Sequence, residues 1–279
     1  MLSGIVLILG KSPSATAARR YAFALAREGK APIAGLAIVD PQMIAPAEPT
    51  PLGGDAFKVH KDEVALEKAR ADAADFERLF GEECQGAGVP CETATVEGRT
   101  LQAVIDACAM QDLVVVGKDI AHEAAQSPSP SPVLLRLLRD NPRPVIVCSH
   151  DEQGSADGAT LVAYDASLPA MRSLQLFALL GLRKRAALTV LTVHERQSDA
   201  VAISRQGAAY LRKHGYNASA HHVEGDTAAD EVLANEARRL KAALIVAGAY
   251  GRQGLREWLL GSTTKKLIEA SPLPLFVHH

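Results

Sequence analysis

The chain repeats itself. Val96-Glu97-Gly98-Arg99-Thr100 returns as Val223-Glu224-Gly225-Asp226-Thr227, and Asn141-Pro142-Arg143-Pro144-Val145-Ile146-Val147 returns as Ser271-Pro272-Leu273-Pro274-Leu275-Phe276-Val277. Between these pairs lie two apolar runs closed by glycine, Leu113-Val114-Val115-Val116-Gly117 and Leu244-Ile245-Val246-Ala247-Gly248. Matches in the same order mean that one structural unit is folded twice, which narrows the fold more than composition does. The Gly/Ser/Asp-rich stretch from Asp151 to Gly158 is the natural linker and divides the chain into domains at 1–150 and 158–279. A total of 279 residues leaves each unit long enough to bury its own core.

Within each unit, short β-branched runs alternate with helical patterns. Strands are expected at 4–9, 33–39, 91–96, 113–117 and 144–148, and again at 159–164, 187–193, 218–223, 243–247 and 274–278. Most are too uniformly apolar for half-exposed antiparallel ribbons and suit buried parallel strands. Residues 62–80 show the complementary period, with Leu66, Ala69, Ala73, Phe76 and Phe80 on one face and Glu67, Lys68, Asp72 and Glu77 largely on the other. The expected class is α/β: two doubly wound, five-stranded parallel-sheet domains, Rossmann-like, in tandem. Such sheets bind ligands beyond the carboxyl ends of their strands.

Charge and composition remove several function classes. A net charge of -2 and 4% aromatic residues leave little to neutralise or stack on a nucleic acid. Cys84, Cys91, Cys108 and Cys148 have no CxxC spacing and read as small buried hydrophobes in a reducing cytosol. No apolar run approaches the roughly 18–20 residues of a membrane helix, and Ile5-Val6-Leu7-Ile8-Leu9 lacks a signal-peptide pattern. The expected location is cytoplasmic, with no membrane and no nucleic-acid partner. His221-His222 and His278-His279 are strand neighbours pointing to opposite faces, so no metal site is expected. The helix over 62–80 carries both signs of charge and covers a sheet rather than a bilayer. Residues 41–60, rich in proline and glycine, read as a loop or lid. Gly4 through Ser12 comes within one residue of a P-loop spacing, but its intervening residues are themselves strand, so Lys11 reads as a solvated loop charge.

Chemistry concentrates after the fourth strand of the second unit, in Gly248-Ala249-Tyr250-Gly251-Arg252-Gln253-Gly254-Leu255-Arg256-Glu257-Trp258-Leu259-Leu260-Gly261-Ser262-Thr263-Thr264-Lys265-Lys266. Glycines 248, 251 and 261 permit close backbone approach, and Ser262 and Thr263 open a helix running to about Ala270. Free N–H groups at a helix start, at the positive end of its dipole, make an anion site with phosphate as the obvious guest. Lys265, Lys266, Arg252 and Arg256 lie near enough in sequence to add charge. The plainer alternative is a connection that turns a corner with Ser262 as an N-cap.

Gly-x2-Gly-x9-Gly-Ser followed by a helix and a Pro-x-Pro strand resembles the ATP-binding signature of the universal stress protein family. Leu161-Val162-Ala163-Tyr164-Asp165-Ala166-Ser167 resembles that family's first strand, and Val223-Glu224-Gly225-Asp226 its third-strand ending. The resemblance covers the second half and implies an adenine nucleotide alpha hydrolase-like fold. It implies nucleotide contacts from Ala163, Tyr164, Asp165, Val193, Ala247, Gly248, Gly251, Gly261, Ser262 and Thr263. Asp165 would accept from the ribose hydroxyls and the Ala163 and Val193 backbones would lie along the adenine. Ala247 and Gly248 would lie near the ribose and phosphates, with Gly251, Gly261, Ser262 and Thr263 holding the phosphates. The cofactors implied are ATP and Mg²⁺ carried on the phosphates. Two departures stand out: Ala166 replaces the family's usual glycine, and Tyr250 stands where histidine is common. Taken alone, Asp165 also suits a helix N-cap.

The first half lacks the same equipment. Gly10 takes the place of Asp165, Ile120 that of the second glycine, and Pro132 that of Ser262, with no amide hydrogen to offer. A degenerate domain completing an intramolecular pseudo-dimer is expected, with a further homodimer left open. The leading expectation is a universal stress protein that binds ATP in its second domain and changes contacts with an unknown protein partner. No general base, acid/base pair or activated nucleophile is legible, so at most slow hydrolysis or autophosphorylation at Ser262 or Thr263 is expected. The alternative is a non-nucleotide scaffold with a residual glycine-rich turn.

Overall fold

In this computed structural model, residues 1–46, 55–98, 100–120, 131–149, 158–225, 228–249 and 262–279 are described. The first half runs β1 (Ile5–Ile8), α1 (Pro13–Gly29), β2 (Ile33–Val39), α2 (Pro41–Ile44), α3 (Asp55–Ala87), β3 (Cys91–Glu97), α4 (Thr100–Ala109), β4 (Leu113–Gly117), α5 (Pro132–Asp140) and β5 (Val145–Cys148). The second runs β6 (Ala159–Ala163), α6 (Leu168–Leu180), β7 (Ala187–His194), α7 (Gln197–Lys213), β8 (Asn217–Glu224), α8 (Ala229–Arg239), β9 (Ala242–Gly248), α9 (Ser262–Ala270) and β10 (Leu275–His278). Every strand legible in the sequence forms, with its ends shifted by at most one residue.

The two expected sheets are one. Strand order is β3-β2-β1-β4-β5-β10-β9-β6-β7-β8, parallel within each half and antiparallel only where β5 meets β10. There Ile146 pairs with Phe276, flanked by Val145 with Val277 and Val147 with Leu275. β5 is apolar along its length and β10 up to its closing His278, so neither tolerates a solvated edge, and pairing satisfies both. One face of the sheet is covered by α1, α3, α6 and α7, whose core runs across the seam through Ile146, Cys148, Phe177 and Phe276. Phe177 meets Phe276 edge-on with ring centroids 5.6 Å apart. The other face carries α4, α5, α8 and α9 over Val114, Val116, Ile245 and Ala247.

The Val-Glu-Gly repeat has a backbone cause. Gly98 and Gly225 sit at φ 103° and 140°, where a side chain is strained, as the chain leaves the edge strands β3 and β8. Each donates its N–H to the end of the neighbouring strand, Gly98 to the Val39 carbonyl at 3.3 Å and Gly225 to that of His194 at 3.2 Å.

Several sequence expectations need correction. The helix expected over 62–80 spans 33 residues, because Gly81 and Gly86 do not interrupt it and the segment before residue 62 continues the helix. Its assigned inner face holds, with Ala73 and Phe80 buried. Part of the expected loop 41–60 is helical, in α2 and the start of α3, while 47–54 lies outside the described residues. Lys11 is an ion-pair partner of Asp72 at 2.9 Å, since α3 brings that carboxylate over the end of β1. Cys84, Cys108 and Cys148 are buried free thiols, whereas Cys91 is only half-buried. His279 lies past the end of β10, so strand alternation no longer separates it from His278 and their rings are 4.9 Å apart. No cluster of three potential metal ligands occurs among the described residues. Nor is any described helix long and apolar enough to cross a membrane.

His278 closes β10 beside the seam. Its peptide N–H donates to Ser173 Oγ at 3.2 Å, and its own Nδ1 is buried without a hydrogen-bond partner. Burial, then the charges of His279 and Arg172, push its imidazole down from 6.5 to about 4. The unfolded chain therefore takes up the proton first, and stability falls as pH drops through the window between those values. The midpoint of thermal unfolding should fall between about pH 7 and about pH 4.5, and fall less in His278→Phe, which removes the titrating group. Equal acid sensitivity of the two proteins in a calorimetric pH series would contradict this.

Candidate functional site

The carboxyl ends of β6, β7 and β9 are aligned by register. Ala163 pairs with Leu191 and Val162 with Val246, so Val193, Ala247 and Gly248 lie within two residues of paired positions at one edge of the sheet. Past Ala163 the chain stays tied to β7, with the Tyr164 N–H donating to the Leu191 carbonyl at 3.0 Å and Thr192 Oγ1 donating to the Tyr164 carbonyl at 2.6 Å. These bonds fix where Asp165 emerges.

Asp165 is half-buried, and its Oδ1 accepts the Ser167 N–H at 2.9 Å. It is not the helix cap: that position belongs to Ser167, whose hydroxyl accepts from the Ala170 N–H. A carboxylate offers about four lone-pair sites, so one short turn bond leaves most of its accepting capacity for a ligand. Ala166, between them, has φ 59°, in the left-handed region where glycine is at ease. The alanine costs about 1 kcal/mol and shows why the resembling motif carries glycine there.

Gly248 is demanded by packing. A Cβ on it would stand 2.6 Å from the Ala170 nitrogen and 2.7 Å from the Pro169 carbonyl carbon, both main chain, so only glycine lets α6 begin against the end of β9. On the other side, buried Thr264 donates its hydroxyl to the Gly248 carbonyl at 2.8 Å and pins the first turn of α9 to the same strand end. The start of α9, whose first N–H groups have no partner within the helix and which carries the positive dipole end, is thereby held beside β9. Ser262 and Thr263 open that helix, and Thr263 is half-buried. Gly251, Gly261, Tyr250, Arg252, Arg256 and Trp258 lie outside the described residues.

Other expectations change. The Tyr164 side chain is buried on the opposite face of the sheet from Ala247, against Gly207 of α7, so it packs the core and only its main chain borders the site. Ala163 and Val193 are half-buried with side chains over the α8/α9 core, which leaves their backbones at the strand ends. Lys266 pairs with Asp230 on α8 at 3.2 Å and Lys265 reaches Glu269 at 3.9 Å, so both cations are engaged along the helices. Thr264 and Thr192 were not singled out by sequence. A hydroxyl residue just inside a helix is too common to signal that its bond crosses to another element.

The first half repeats the cap and the close-packed glycine with other residues at the remaining positions. Ser12 caps α1 as Ser167 caps α6, and two residues earlier stands Gly10 where the second half has Asp165. A Cβ on Gly117 would lie 2.6 Å from the Ala15 nitrogen, the counterpart of the Gly248 contact. But α5 begins with Pro132, which has no N–H, and buried Ser131 already accepts the Leu134 N–H at 3.1 Å. Ile120, where a second glycine was expected, is buried in the core.

Comparison with known proteins bears on the fold and on the second half of the sequence. Residues 159–279 match the Universal stress protein family model. A universal stress protein from Synechocystis sp. is 28% identical over 142 residues, 50% of this chain and 48% of that protein, so the match spans about half the length of each. Among solved structures, a universal stress protein from Archaeoglobus fulgidus superimposes with a TM-score of 0.72 at 20% identity, over 99% of this chain and 97% of that one. A functionally unknown protein from Pseudomonas aeruginosa gives 0.59 at 16% identity, over 99% and 92%. Both carry the fold across the full chain.

Gly248→Ala should push α6 off β9 and destabilise the protein by about 1–3 kcal/mol, as overpacking against main chain does. Thr264→Val, which removes one buried hydrogen bond, should cost about 1 kcal/mol. Urea midpoints report both, and a Gly248→Ala protein as stable as the parent would refute the close-packing account.

Proposed function

We propose that the second half binds ATP, with Mg²⁺ carried on its phosphates, and that occupancy alters contacts with a protein partner in a stress response. The observation that carries this reading is the convergence, at one strand edge, of a carboxylate with accepting capacity to spare and a helix start tied to β9 by Thr264. Asp165 would accept from the vicinal ribose hydroxyls, and the main chain of Ala163 and Val193 would read the adenine edge. Ala247 and Gly248 would border the sugar and first phosphate. Amides and hydroxyls of Gly251, Gly261, Ser262 and Thr263 would take the remaining phosphates. Phosphate oxygens and water supply what Mg²⁺ needs, so the protein need not build a cage for it. The family match over 159–279 supports the assignment to this half, as does the capped, proline-opened α5 in the other. Such a site binds and orients rather than turning over, and the pseudo-dimer of the two halves supplies a surface through which binding is felt.

A ligand that binds only the native state raises stability by about 2.7 kcal/mol at roughly 100 times its Kd. Thermal unfolding with Mg-ATP should rise accordingly, and Asp165→Ala should weaken binding by about tenfold or more, the worth of a charged hydrogen bond. No shift of the parent protein at millimolar Mg-ATP would overturn the reading in favour of a scaffold.

A further inference from the structure

A second concavity lies between the halves, away from the strand ends just described. The carboxy-terminal part of α1, from Leu25 to Lys30, faces the end of α6 and the turn Gly181–Ala186, with His214 at its margin, around a cleft of about 1070 Å³. It borders the start of β7, whereas Val193 lies near the other end of that strand, about 20 Å away at strand rise. Arg27, Lys30, Arg183, Lys184 and Arg185 all line it, and among the described residues Glu28 is the only carboxylate in its lining.

These cations are not equivalent. Arg183 is buried, in the left-handed region at φ 52°, and donates from Nε to Thr160 Oγ1 at 3.0 Å and from its terminal nitrogen to the Gly158 carbonyl, so it is a fixed part of the floor. Lys184 donates to the His214 carbonyl and lies 4.0 Å from the Tyr216 ring centroid. The side chains of Arg27, Lys30 and Arg185 make no hydrogen bond or ion pair among the described residues, and all three residues are exposed. They come from segments more than 150 positions apart in sequence, so the fold itself gathers them. A protein with net charge -2 has no general surplus of cations to scatter, and helix-dipole compensation accounts for Arg27 in the last turn of α1 but not for Arg185, beyond α6.

We propose that this cleft binds a small molecule bearing several phosphate groups. Its volume is that of a small-molecule site. The guanidinium forks of Arg27 and Arg185 match phosphate oxygens in pairs, with Lys30 adding a point charge. Because both halves supply cations, an occupant would also bridge the halves.

Inorganic tripolyphosphate is the probe. It carries no adenosine, so Asp165 and the adenine edge contribute nothing to its binding. Calorimetry on the full chain at low salt should show a saturable site that weakens as salt screens the exposed cations. Arg27→Gln/Lys30→Gln/Arg185→Gln should lose at least about tenfold in affinity, because binding here rests on those charges, while Asp165→Ala leaves it unchanged. The single variant Arg185→Gln, at an exposed turn position, repeats the test with a smaller loss should the triple variant misfold. No heat with the parent protein, affinity retained in both cleft variants, or citrate binding as tightly as tripolyphosphate would each overturn the proposal.

Discussion

The antiparallel pairing of β5 with β10 is the interaction on which the rest of the molecule depends. Each half, taken separately, would end in a largely apolar strand with one side unpaired, an invitation to aggregation. Joined, the two strands complete each other's hydrogen bonds and bring Phe276 and Phe177 into a core that runs across the seam. The outermost strands are then β3 and β8, whose exposed Glu92, Thr93, Thr95 and Ser219 tolerate water. A repeat that looks like two independent domains in sequence is thus one sheet with polar margins.

Within that frame the halves diverge in α2 and the long α3, which the second half lacks, and in the side chains at their strand ends. Both begin their first helix with a capping serine, and both use a glycine to seat that helix against the fourth strand. What differs is the residue two places before the cap, and whether the last helix opens with proline or with serine. The first half instead has the Lys11–Asp72 ion pair, buried Ile120 and the Ser131 cap. At the strand ends the asymmetry lies in a handful of side chains, because the strand order is the same in both halves.

Much of the fold was legible because parallel strands buried on both faces leave uninterrupted β-branched runs, as at 113–117 and 243–247. Helix length was less so. The start of α3 carries Phe57, Val59 and Val64 in exposed positions, so no amphipathic period marks where that helix begins. At the site, Asp165 and Gly248 could be found from their place after a strand, since backbone geometry makes demands there that few residues meet. The burial of the Tyr164 side chain against α7 was not legible, because adjacent residues at a strand end face opposite ways and sequence alone does not say which face holds the core. Thr264, and the gathering of residues 27–30 with 183–185, depend on contacts between distant elements and leave no local pattern.

The central claim is that equal frames hold unequal sites, one open to adenine and one closed by its own residues. Photolabelling with 8-azido-ATP and Mg²⁺, followed by peptide mapping, locates the base directly. The account predicts saturable label, displaced by excess ATP, on the peptides bearing Ala163–Asp165 or Val193. Label on the corresponding strand ends of the first half, around Gly10 or Val39, would contradict it.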